Sequence, residues 1–338
     1  MILNRFITTY VLFSILSLAV ALGAVITAGR VRKSWWAGQS PESQYELEKK
    51  VYLIITLIGL GFMLRLLMVP LWFFTLQSMI PSVSGAMCLF GVHQMRSPVS
   101  WISTGLKILL PFFYGFWLVL NYLDRKLKRQ PFMETKLRAL FPLGLIMLVE
   151  SGLDLRFLLT VPPRQVSCCT SFFDAPPDAI PQILTQTSWF WVGAWYLVTF
   201  LIIGESMALY FLQKKGRLLG GRLLTGSAIS IGIQSVVVIA ALACFFLALH
   251  TKISPLFLHL PFHHCIFCLW QGVWDGPVFT ALILVGLWSF LTYVGITSLK
   301  EYEGTRHETG NRMTRLLVFS AGSLVAGLAI VTLHLLVV

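Results

Sequence analysis

Apolar runs long enough to cross a hydrocarbon core at about 1.5 Å per residue recur eight times along the chain, near residues 6–29, 51–74, 101–122, 137–160, 187–212, 222–249, 278–298 and 314–337. Short polar connections separate them. This pattern predicts an all-α polytopic integral membrane protein of about eight transmembrane helices, built as one transmembrane domain over residues 1–338. Pro70, Pro111 and Pro142 fall inside three of the runs. Neighbouring helices accept carbonyls freed by a buried proline, so kinks are expected there and not breaks. The longest connections run to about 25 residues, which leaves no room for a soluble domain. No internal repeat or low-complexity tract stands out.

Composition supports lipid as the main solvent. Of 338 residues, 57% are apolar and 12% charged, and the mean hydropathy is +0.78, well outside the range of soluble domains. A net charge of +12 invites a nucleic-acid reading, but no basic stripe with interleaved aromatics lies on a soluble segment. The basic residues sit in short loops instead. Arg30, Arg32, Lys33, Lys49 and Lys50 follow the first run, and Arg125, Lys126, Lys128, Arg129, Lys136 and Arg138 follow the third. Lys214, Lys215, Arg217 and Arg222 follow the fifth, and Lys300, Arg306, Arg312 and Arg315 the seventh. Loops of the opposite parity hold only Arg96, Arg164 and Lys252. The positive-inside rule makes the basic loops cytoplasmic. Both termini are then expected on the non-cytoplasmic side of an inner, cytoplasmic-type membrane. Cleavage of the first run as a signal peptide would invert this order and place the basic loops outside, so the run is read as a retained span.

With that topology the polar chemistry collects on the outer side. The outer loops 75–100, 161–186 and 250–277 carry Cys88 and His93, then Cys168 and Cys169, then His259, His263, His264, Cys265 and Cys268. Cys244, His250 and His334 lie near the outer ends of their spans, so His307 alone among cysteines and histidines falls on the inner half. Three chemistries fit such a cluster. An oxidising compartment favours structural disulfides, although adjacent Cys168 and Cys169 are poorly placed to bond each other. A transition-metal site has candidate ligands in Cys88, His93, Cys168, Cys169, His263, His264, Cys265 and Cys268. Soft thiolates together with Met79, Met87 and Met95 favour copper, with zinc or iron also compatible.

Thiol–disulfide exchange is the third. Cys265 and Cys268 have the Cys-x-x-Cys spacing of redox pairs, and Pro261 upstream suggests the start of a short helix whose N-terminus would lower a thiol pKa. The logic is similar to that of membrane disulfide-generating enzymes that pass electrons to quinone, but this chain has twice the helices expected of one. A covalent c-type haem is disfavoured, because Leu269 follows Cys268 where attachment needs histidine.

Ionisable groups also fall within the apolar runs, where each costs about 2.5–3.5 kcal/mol unless partnered. Arg65, Lys107, Glu150 and Asp154 reach similar depths on the second, third and fourth spans, which predicts an interhelical charge cluster. Its functional form would be a proton or quinone-linked path. Arg156 lies beside it in sequence, and Glu205 on the fifth span has no obvious basic partner. Trp35, Trp36, Trp189, Trp191, Trp270 and Trp274 are expected to belong to interfacial belts. No glycine-rich phosphate loop, hydrolase triad or nucleotide site is present.

The leading expectation is a membrane protein that holds a metal or redox-active thiol centre at its outer face, in metal handling, cofactor assembly or electron transfer. The alternatives are a non-catalytic anchor subunit whose disulfide-pinned outer loops dock other membrane or periplasmic subunits, and a small-solute transporter using the charge cluster. Whether the chain is an enzyme is left open by its residues.

Overall fold

The computed structural model describes residues 4–35, 41–127, 130–159, 165–166, 187–214, 228–299 and 306–337. All regular structure among them is helical. The chain divides into two compact units, Met1–Cys168 and Cys169–Val338.

The first unit is built from α1 (Arg5–Trp35), α2 (Pro41–Met79), a short α3 (Leu89–Gln94), α4 (Val99–Arg125) and α5 (Met133–Leu159). Helix α1 packs on α2 and α5, and α4 completes the ring by packing on the same two. Small residues let the first helix approach closely. Ala21, Ala24 and Ala28 of α1 meet Ile54, Ile58 and Phe62 of α2, Tyr114 and Trp117 of α4, and Leu140 and Met147 of α5 in one core. Phe62 stacks on Tyr114 at 4.6 Å between ring centroids and meets Trp117 edge-on at 5.3 Å, geometries favoured by the ring quadrupole. Pro70, Pro111 and Pro142 each lie within a continuous helix.

The second unit comprises α6 (Ser188–Lys214), α7 (Ala228–Ala248), a short α8 (Ile266–Gly272), α9 (Gly276–Thr297) and α10 (Arg306–Val337). Helix α7 runs on through a π turn, Leu249–Ile253, into one α turn, Ser254–Phe257. Here α6 packs on α7 and α10, and α9 on α7 and α10. The α9–α10 contact depends on absent side chains. A Cβ on Gly286 would fall 2.6 Å from Leu324 Cγ, and one on Gly327 would fall 2.8 Å from Ile283 Cδ1. The Ser320 hydroxyl donates to the Gly286 carbonyl at 2.8 Å, so backbone approach and a polar clasp occur together, as in membrane helix pairs.

Seven helical segments among the described residues are long and apolar enough to cross a membrane: Arg5–Arg30, Lys49–Ser82, Val99–Arg125, Ser188–Lys214, Gly232–Phe257, Gly276–Thr297 and Arg312–Val337. Their outward surfaces carry large exposed apolar side chains, among them Leu60, Leu67, Phe200, Leu201, Ile239 and Leu333. These helices mark a multi-pass membrane protein in contact with lipid. The fourth long helix, α5, has 27 residues, about 40 Å of rise. It differs from the seven because Glu150, Asp154 and Arg156 interrupt its apolar run.

Candidate functional site

The thiol-bearing segment of the second unit begins where the π turn ends α7. Pro255 opens the α turn that follows, and His259 then takes a left-handed backbone, φ +54°, which reverses the chain toward Cys265. Histidine is among the residues that adopt this region more readily than most. Two reciprocal hydrogen bonds fix the returning strand. His250 Nδ1 meets the His264 carbonyl at 2.8 Å, and His264 Nδ1 meets the His250 carbonyl at 3.0 Å. A carbonyl oxygen only accepts, so both rings carry a proton on Nδ1, and in the neutral form each has its lone pair on Nε2. Ligand histidines are commonly oriented in this way, by a bond from the other ring nitrogen to a backbone carbonyl. The ring centroids lie 5.6 Å apart.

This clasp sets the residue before Cys265. Cys265 stands at the N-cap of α8 with extended backbone (φ −79°, ψ 112°), and its carbonyl accepts the Leu269 N–H at 3.2 Å. The helix therefore starts at Ile266, several residues beyond the start that Pro261 suggests. The spacing of three residues from N-cap into the first turn puts Cys268 back over Cys265, and the two sulfurs lie within 4.8 Å of each other. Both are thiols and not disulfide sulfurs, with Cys265 fully buried and Cys268 half-buried. His263 is buried beside them in sequence, whereas His259 is exposed.

In the first unit Cys88 and His93 frame α3. Cys88 is buried and takes the N-cap position, again with extended backbone (φ −148°, ψ 177°). His93 is fully enclosed. Its ring lies 4.7 Å from that of Trp101, its Nε2 is 3.4 Å from the Thr104 hydroxyl, and its carbonyl accepts from Ser100 Oγ at 2.6 Å. Burial pushes the His93 imidazole down to about 4, against a smaller upward pull from Cys88, so the ring is neutral at physiological pH. The loop before α3 turns at Gly85, φ +86°, where a Cβ would stand 2.3 Å from the Val166 carbonyl. Val166 N–H donates to the Ser84 carbonyl at 3.0 Å, so only glycine fits this crossing.

Below that loop, the four charged residues predicted to cluster are in contact. Arg65 Nη1 reaches Asp154 Oδ2 at 2.9 Å and Glu150 Oε1 at 3.7 Å. Lys107 Nζ lies 2.7 Å from Asp154 Oδ2 and also bonds Glu150 Oε1. Tyr10 donates to Asp154 Oδ2 at 3.0 Å, Tyr114 donates to Glu150 Oε2 at 2.9 Å, and Arg65 Nη2 donates to Ser151 Oγ. All four charged side chains are buried. The spacing of four places Glu150 and Asp154 on one face of α5, and every helix of the ring contributes a partner. Two cations face two carboxylates, so the formal charge cancels. The four side chains thus tie α2, α4 and α5 together through buried ion pairs.

No family model, curated protein or solved structure matches the chain. Its chemistry therefore rests on the residues themselves.

Cys168 and Cys169 lie outside the described residues. The phenols of Tyr10 and Tyr114 are members of the charge cluster that the sequence does not announce, since a tyrosine in an apolar run gives no signal of its polar end. Glu205 does have a partner: Gln234 of α7 donates to it at 2.6 Å. An amide meets the need for which the sequence offers no cation. Arg156, unlike the four clustered charges, is exposed.

Proposed function

We propose that the chain is an eight-span protein of a cytoplasmic-type membrane, with both termini on the non-cytoplasmic side. It holds a redox-active thiol pair, Cys265 and Cys268, at its outer face. The observation that carries this reading is the close approach of the two reduced sulfurs, one at the N-cap of α8 and one in its first turn. From there a disulfide forms by a small movement. Two thiols give up two protons and two electrons, and one S–S bond forms. A quinone-class acceptor dissolved in the bilayer is the natural destination for the electrons. The ionic lock supports counting α5 as a span, because its two buried carboxylates meet two cations of neighbouring helices and face no lipid.

A second reading, a soft-metal centre with copper favoured and zinc or iron compatible, draws on the same close pair of thiols, Cys265 and Cys268. Elemental analysis of the chain purified without reductant or chelator, together with thiol counting, separates the two. A reversible Cys265–Cys268 disulfide in metal-free protein supports thiol exchange. About one metal ion per chain, lost on Cys265→Ser, supports ligation.

A further inference from the structure

The two units match in ways that neither their function nor their membrane setting requires. Each is a ring of four long helices in the same cyclic order, first on second and fourth, third on second and fourth. Each carries, just before its third long helix, a short α-helix with a cysteine of extended backbone at its N-cap. The short helices align residue for residue. Cys88-Leu-Phe-Gly-Val-His-Gln stands against Cys265-Ile-Phe-Cys-Leu-Trp-Gln, and Pro98-Val and Pro277-Val then open the third helices.

Packing repeats the correspondence. In the first unit the buried Tyr10 of α1 meets Trp72 of α2 at 5.3 Å, and in the second the buried Trp195 of α6 meets Phe245 of α7 at 5.1 Å. Trp72 precedes Pro81 by nine residues and Phe245 precedes Pro255 by ten. The π turn Leu249–Ile253 absorbs the difference, because a π turn holds one residue more than an α turn. At the sixth position of the matched segment a ring nitrogen reaches a threonine in the first turns of the third helix. His93 Nε2 lies 3.4 Å from Thr104 Oγ1, and Trp270 Nε1 donates to Thr280 Oγ1 at 3.1 Å.

We infer that the chain is an internal duplication of one four-helix unit, in which the N-cap cysteine is common to both copies and the second thiol is present only in the second. Gly91 occupies the position of Cys268. A Cβ at Gly91 would fall 2.8 Å from Ala86 Cα, so the first copy has closed its loop over the space that a second thiol would need. Cys88 is thus the counterpart of Cys265, and a dithiol site lies latent in the first unit.

The test restores it in the full-length chain. Gly91→Cys with Ala86→Gly, in a background of Cys265→Ser and Cys268→Ser, is oxidised mildly and mapped by mass spectrometry. The expected result is a disulfide between Cys88 and the thiol introduced at position 91, formed under the conditions that close Cys265–Cys268 in the parent. If Cys88 and the introduced thiol alkylate independently after oxidation in a folded protein, the inference is overturned. The reverse transplant guards against misfolding of that variant: Ile266→Leu, Cys268→Gly, Leu269→Val and Trp270→His place the first copy's segment in the second unit. It should melt above a control carrying the same residues shuffled after Cys265, and melting no higher than the shuffled control would also overturn the inference. The transplant result, read by melting alone, does not depend on whether Cys265 and Cys268 serve redox or metal chemistry in the parent, so its failure is distinguishable from failure of that reading.

Discussion

Asp154 receives the Arg65 guanidinium at 2.9 Å with both side chains shut away from solvent. A lone charge there would be far more costly than the pair. Arg65→Met should therefore destabilise the protein by about 3–5 kcal/mol, the usual result of orphaning a buried charge. Arg65→Met combined with Asp154→Leu leaves Lys107 balanced by Glu150, and should cost less than the two single changes added together. Thermal unfolding of the four proteins in detergent gives the cycle. Additive losses would show that the lock is not a unit.

If the lock draws α5 across the bilayer, the chain positions on either side of the α4–α5 pair face the same compartment. Met87 and Trp189 are both exposed. Met87→Cys and Trp189→Cys should each react with a membrane-impermeant maleimide from the same side of sealed vesicles. Labelling from opposite sides would leave α5 outside the membrane and reduce the spans to seven.

The buried His93 makes stability depend on acid. Its folded-state value is held near 4, below the ordinary 6.5, so the unfolded chain binds the proton more readily. Stability is fully present above pH 6.5 and is lost as pH falls toward 4, by about 3 kcal/mol over that interval. His93→Gln should flatten this part of the profile in melting experiments. An unchanged slope would assign the acid sensitivity to other groups.

In the second unit the α9–α10 contact depends on close helix approach at Gly286 and Gly327. Gly286→Ala puts a methyl group against Leu324 and should lower stability by about 1–3 kcal/mol through overpacking. Gly322, with open space around its Cβ position, provides the control, and Gly322→Ala should leave melting nearly unchanged or slightly raised.

The long helices were legible because a bilayer demands about twenty apolar residues in a row, and nothing else in a sequence looks like that. The Arg65, Lys107, Glu150 and Asp154 group could be anticipated because depth along a span follows from the rise per residue. Its uncharged members, Tyr10, Tyr114 and Ser151, could not, since their polar atoms do not disturb an apolar run. The His250–His264 clasp depends on a π turn and a left-handed His259, and neither leaves a mark in residue type. The placement of α8 after Cys265 follows from that same reversal, which Pro261 alone does not encode. The duplication stayed hidden because the matched segment is only seven residues long and the loops around it differ in length. Outside that segment the two copies share packing partners and not residue identities.

The central claim is that Cys265 and Cys268 act as a pair. Differential alkylation of the purified full-length chain, before and after exposure to a soluble quinone and again after reductant, tests it most directly, with metal content measured on the same sample. The account predicts that, of the six cysteines, Cys265 and Cys268 are alkylated in the reduced chain, become one Cys265–Cys268 disulfide on oxidation and are alkylated again on reduction. Two thiols that alkylate independently throughout, in protein free of bound metal, would contradict it.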